Sequence, residues 1–334
     1  MLALTLLLAC GPDRSAQLAA LQDETVPTDE RDPVEDSTET TTPSTDAETT
    51  SPSTSSSTTS TSTTDPEEPW CWSEAIDPTA PIDDLQPVSH ANERDVAFEV
   101  LRRRWPAGHD LLRDMEHDPY IDEFLDGSGW GVFLDSLLTT VHEETHGWDY
   151  EHAIYPSQFG YFMTADTQPF TPWDDSLPRS VIRPLIDDDA TWLYADLYLT
   201  GTQGTYGFTE LLDEANCYVN TLGAAVAVAD GLPWGTSARD GAMTFVYYVG
   251  FNLAPAAENR PSTYAAWQAD PEVGEVVRTL WIRTHFFLDM ADQDPGLGVD
   301  DARIRPLMAA QQPVYEAFLG HSLEDGPCLP DGAP

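Results

Sequence analysis

The chain changes character near residue 70, and that break limits what it can fold into. From about Asp13 to Pro69 it consists largely of Ser, Thr, Pro, Asp and Glu, with the run SPSTSSSTTSTSTTDPEEP at 51–69. No hydrophobic period runs through this stretch, so it has no face to bury and nothing offsets the entropy lost on ordering it. All ten tryptophans lie from Trp70 onward. The roughly 265 residues there are enough to bury one sizeable core. The expectation is one folded domain over 70–334 on a disordered tether, 11–69, which reaches roughly 40 Å as a flexible coil.

Charge narrows the partners. The chain carries 58 acidic and 15 basic side chains, all of the latter arginine, for a formal net charge of -43. Nucleic acid and anionic lipid both require clustered cations, so neither is an expected partner. The one basic cluster, Arg102-Arg103-Arg104, falls where a predicted helix ends and reads as a solvated helix C-terminus. Acidic runs at 187–189 and 292–301 invite a calcium reading. The second departs from the EF-hand template at Gly296 and Arg303, and solvated loops are expected.

Met1 to Ala9 reads MLALTLLLA, too short for a membrane span of roughly 20 residues and suited to the apolar region of a signal peptide. The run Leu7-Leu8-Ala9-Cys10 resembles a bacterial lipobox, although no Arg or Lys precedes it. That resemblance implies a lipoprotein signal peptide over 1–10, export, and anchoring at the outer membrane or cell surface. Lipidated Cys10 would be the one membrane contact. Export favours a disulfide between Cys71 and Cys328, at the two ends of the folded part, worth on the order of 4 kcal/mol by loop closure. Cys217 would then be a lone buried thiol; other pairings among Cys71, Cys217 and Cys328 stay open.

Helical periods dominate the folded part. Helices are predicted over Asn92–Trp105, Asp110–Met115, Tyr120–Leu125, Val132–Gly147, Phe208–Ala229, Asp240–Leu253, Pro271–Met290 and Asp300–Leu319. The chain is also expected to return to helix from Asp189. GSGW at 127–130 reads as a turn, and Phe159–Met163 and, more weakly, Ser180–Ile186 read as strands. The fold class is therefore α+β, mainly α, with a small sheet and several C-terminal helices.

Residues 142–146 are His-Glu-Glu-Thr-His. On a helix His142 and His146 stand one turn apart on one face, so two imidazoles can grip one Zn²⁺. Glu143 lies beside them, where it can take a proton as general base without ligating the metal. Chance produces His-Glu-x-x-His in about one chain of this composition in eighty. Here it also closes a well-formed apolar helix, as the chemistry demands. The segment TTVHEETHGWDYEH resembles the zincin metallopeptidases, which implies zinc, a water nucleophile of lowered pKa and peptide hydrolysis.

A zincin needs a third ligand, and two candidates present themselves. Glu214, in the helix FTELLDEANCY, resembles the glutamate of the gluzincins, with Glu210 one turn earlier as a weaker substitute. His152 has the spacing of the third histidine of the metzincins, but Asp149 stands where their glycine allows the chain to turn. Glu214 is preferred and His152 stays open. Tyr218, Tyr248 and His285 are candidate oxyanion donors, none of them assigned. Asp149 is a candidate acceptor for a ligand imidazole.

Two functions follow. The first is a surface-tethered, monomeric zinc peptidase acting on peptide or protein substrates, with Glu143 catalytic and His142, His146 and Glu214 holding the metal. The alternative is a non-catalytic lipoprotein on a zincin scaffold that binds a cationic surface partner.

Overall fold

The computed structural model describes residues 71–86, 89, 92–186 and 194–323. The proposed signal peptide, Cys10, the tether, the acidic run at 187–189 and Cys328 lie outside the described residues. Helices α1 (Glu93–Arg104), α2 (Pro106–Asp114), α3 (Tyr120–Phe124) and α4 (Trp130–Glu151) come first. A two-stranded antiparallel ribbon follows, β1 (Phe159–Gly160) and β2 (Phe170–Thr171), with Phe159 opposite Thr171 and Gly160 opposite Phe170. A 3₁₀ helix spans Arg179–Leu185, and residues 194–198 are helical. Then come α5 (Phe208–Val228), α6 (Ala238–Asn259), α7 (Pro261–Ala269), α8 (Pro271–Ala291), α9 (Asp301–Ala309) and α10 (Gln312–Leu319). The fold is mainly helical with a small sheet, as the sequence suggests. No helix among the described residues is long and apolar enough to cross a membrane.

Local chemistry sets the helix ends. Pro106 opens α2 immediately after α1, because proline fits the first turn, where no N–H partner is needed. The Asp270 side chain accepts from the Glu272 and Val273 amides at 2.9 and 3.2 Å and caps α8. Glu210 Oε2 accepts from the Gly207 amide at 2.9 Å, tying the first turn of α5 to the residue ahead of it. Gly320, at φ +77°, ends α10 in the left-handed region open to glycine.

Helix α5 is the axis of the domain. Every residue from Phe208 to Val228 is buried, and the helix packs against α4, α6 and α8. Each Leu or Val buried this way contributes about 1.5–3 kcal/mol. Sequence periodicity gave α5 one apolar side; the structure surrounds it, so its polar residues must find partners inside the protein.

A buried polar chain links the start of the domain to α4. Glu74 receives Arg283 Nε and Nη2 at 2.8 and 2.9 Å, with the Trp105 indole at 2.6 Å. Arg283 Nη1 donates to Asn220 Oδ1 at 2.7 Å, and Asn220 Nδ2 reaches Phe162 O and Thr145 Oγ1 at 3.0 and 3.2 Å. These bonds hold α8, α5 and α4 at a fixed distance around the motif helix.

Several expectations need correction. The stretch expected as a strand over Ser180–Ile186 falls almost wholly in the 3₁₀ helix Arg179–Leu185, because Pro184 has no N–H for a strand ladder and the buried Arg179 side chain turns toward α5. The predicted strand Phe159–Met163 shortens to two residues, and β2 and α7 were not predicted. Asp300–Leu319 is two helices, α9 and α10, with a break at 310–311 ahead of Pro313. Arg104 is not solvated: it is buried and bound to Asp230 and to Ala227 O. The cysteines need no correction: as expected, Cys71 is disulfide-bonded and Cys217 is a free, buried thiol.

Candidate metal centre

The centre forms where α4 and α5 pack side by side. His142 and His146 stand one turn apart on α4, and Glu214 lies in the second turn of α5. Their donor atoms lie within 4.8 Å of one another, and all three residues are buried. Glu214 Oε2 is 3.5 Å from His146 Nε2 and 4.0 Å from His142 Nε2. Donors around a tetrahedral zinc, each 2.0–2.1 Å from it, stand about 3.3 Å apart, so the two Glu214 contacts need close by less than about 1 Å.

Glu214 Oε2 is buried and has no hydrogen-bond partner among the described residues. A buried carboxylate oxygen in that state is costly unless a cation faces it. Its position opposite two imidazole nitrogens supplies the place for one. The three residues can hold a metal ion.

The second ring nitrogen of each histidine is also held. His146 Nδ1 meets Asp213 Oδ2 at 2.8 Å, and His142 Nδ1 meets Thr221 Oγ1 at 3.1 Å. Such bonds turn Nε2 toward the metal and raise the basicity of the ligand. Asp213 and Cys217 form a second trio of possible ligands with His146. The 2.8 Å contact is a hydrogen bond, shorter than the spacing of two ligands on one ion, so Asp213 orients His146.

Charge in the centre favours a cation. Burial works to lower the His146 pKa, but Asp213, Cys217 and Glu214 together hold it well above the ordinary histidine value. Burial works to raise the Glu214 pKa, but His146, Arg179 and His142 hold it below the ordinary carboxylate value. Arg179 is itself buried, with Nη1 3.5 Å from Glu214 Oε1 and 3.1 Å from Gln203 Oε1 and Nη2 on Glu210 O. It occupies one Glu214 oxygen and leaves the other directed at the imidazoles.

The remaining predicted residues sort clearly. Glu143 is buried, in the same turn of α4 as His142. His152 is exposed at the end of α4, stacked on Trp148 at 3.9 Å with Nδ1 on Trp148 O, and does not join the ligand set. Glu210 caps α5. Tyr218 lies edge-on to the His142 ring at 4.6 Å, with its hydroxyl on Tyr198 at 2.9 Å, so it backs a ligand. Gly241 of α6 lets that ring pack closely; a Cβ there would collide with it. Tyr248 packs on Phe245 and Tyr247, and His285 on Trp281.

Asp149 does not hold an imidazole: it accepts from the Phe162 amide at 2.7 Å and Asn216 Nδ2 at 3.1 Å. Burial first, then the charge of Asp213, holds its carboxyl well above the usual range. Asp213, Thr221 and Arg179 were missed in the sequence. Asp213, Cys217 and Thr221 recur every four residues on α5, a polar stripe in an otherwise apolar helix, and that signal was available. Comparison with models of protein families, with curated proteins and with solved structures finds no match for this chain.

Proposed function

We propose that this protein is a surface-tethered, zinc-dependent peptidase of gluzincin-like type, exported as a lipoprotein and held by a lipidated Cys10. The observation that carries the reading is the buried, unbonded Glu214 Oε2 facing His142 and His146, the first of which adjoins Glu143 in the chain. His142, His146 and Glu214 hold the metal, which when bound polarises a carbonyl and lowers the pKa of water toward neutrality. Glu143 accepts the proton released by the attacking water and passes it to the leaving amine. Asp213 and Thr221 keep the imidazoles in the tautomer that ligates through Nε2, and Arg179 keeps Glu214 turned inward. Of the three ligand side chains, His146 is the most accessible at 11%, against 5% for Glu214 and 0% for His142, so substrate approaches on the His146 side. All ligands come from one chain, which suits a monomer.

Burial favours a second reading. His142 and Glu214 are nearly sealed, as in a site that holds a metal for structure, and such a lipoprotein would bind a cationic surface partner without turnover. One experiment separates the two: digestion of a broad peptide library by purified chain, with and without a zinc chelator, beside Glu143→Ala. Peptidase function predicts one zinc per chain, chelator-sensitive cleavage, and a Glu143→Ala variant that keeps zinc and cleaves nothing. Zinc retention with no cleavage by the wild-type chain supports the structural reading, and metal-free folded protein ends both.

A further inference from the structure

A cavity of about 620 Å³ opens between Pro78 and the C-terminal ends of α5 and α8. Its floor is apolar, with Val226 and Leu297 buried and Met290 half-buried. Its rim carries Asp230, Asp289 and Asp294, and no arginine lines it. A smaller recess shares Ala229, Asp294 and Leu297 with it and continues to Trp234. Trp234 is 41% exposed, and its Nε1 donates to Asp135 at 3.2 Å.

The three rim carboxylates are not equivalent. Asp230 is already neutralised by Arg104. Asp294 Oδ1 accepts from the Gly296 amide at 2.7 Å, which leaves its other oxygen to the cavity. Asp289 makes no hydrogen bond or ion pair among the described residues. An apolar floor of this size takes a hydrocarbon body. The two uncompensated carboxylates at the rim attract a cation held beside that body. An anion would meet no cationic partner and a net charge of -43.

We propose that this cavity binds an organic cation with an apolar body, of the aryl- or alkylammonium class. Twelve residues of α5 separate Glu214 from Val226, about 18 Å of helix, so the site is distinct from the metal centre and does not rest on the peptidase reading.

The test is calorimetric titration of the intact chain with benzyltrimethylammonium, with benzyl alcohol and phenylacetate as neutral and anionic comparisons. The ammonium is expected to saturate one site per chain, at least fivefold more tightly than the alcohol, and to weaken as salt rises. Phenylacetate is expected not to bind. Asp289→Asn should weaken ammonium binding at least fivefold at an unchanged melting temperature. Thr79→Arg, which sets a cation at the mouth, should abolish it. No saturation below 10 mM, equal binding of the alcohol, or an unaffected Asp289→Asn variant would each overturn the proposal.

Discussion

Asp213 offers the sharpest perturbation of the metal centre, because it touches no metal in the proposed arrangement and acts only through His146. Its Oδ2 lies 2.8 Å from His146 Nδ1, and its side chain is 2% exposed against 11% for the imidazole. A charged, buried hydrogen bond of this length is among the strong ones. Loss of such an orienting carboxylate costs about 10–100-fold in metal affinity, or about 1.4–2.8 kcal/mol. Asp213→Asn keeps an acceptor for the N–H and loses the charge, so it belongs at the low end, near tenfold. Asp213→Ala loses both and belongs near a hundredfold. Thr221→Val removes a neutral 3.1 Å contact to His142 and should cost no more than about fivefold. Zinc competition against a chromophoric chelator reads all three, with a thermal melt to confirm folding. The metal-free variants should also lose stability, Asp213→Ala most, because it leaves the buried His146 N–H without its acceptor, so affinity is read only well below each variant's melting temperature. An Asp213→Ala variant with wild-type zinc affinity, or Thr221→Val more damaging than Asp213→Ala, would refute the reasoning.

Other residues give independent checks. Glu143→Ala should lower peptide cleavage by about 10²–10⁴-fold with zinc content unchanged, measured by turnover and elemental analysis on one sample. Arg179→Met should cost about 3–5 kcal/mol in urea unfolding, because it leaves the buried Glu214 and Gln203 oxygens without their donor; Arg179→Lys should not restore it. Glu74→Gln should destabilise through Arg283 by a similar amount while leaving zinc affinity within about threefold. Burial raises the Asp135 carboxyl to about 6, partly countered by the Trp234 hydrogen bond. Its folded value lies above its unfolded one, so its contribution to stability is complete below about pH 4 and is lost as the pH rises through about 6. Asp135→Asn should flatten that part of the stability-pH curve and raise the melting temperature at pH 7.

How much could be read from the chain depended on whether a signal was local. His142, Glu143 and His146 announce themselves by spacing alone, and Glu214 by an acid on a helix otherwise built for burial. Helix ends at Pro106, Pro271 and Gly320 follow from single residues. Choosing between Glu214 and His152 took tertiary geometry, because both spacings suit a zincin; His152 loses to its stack on Trp148. Asp149 was a fair guess from nearness in sequence, yet Asp213 lies closer in space, since α5 turns that carboxylate toward α4. Ser180–Ile186 looked only weakly like a strand, and Pro178 ahead of it, Pro184 within it and the buried Arg179 decided otherwise. Arg104 looked solvated because its partner Asp230 is 126 residues away.

Anomalous diffraction at the zinc edge from crystals of the intact chain bears most directly on the central claim. One peak is expected, 2.0–2.2 Å from His142 Nε2, His146 Nε2 and Glu214 Oε2. A peak elsewhere, a peak that includes His152 in place of Glu214, or no peak in zinc-supplemented crystals would contradict the account.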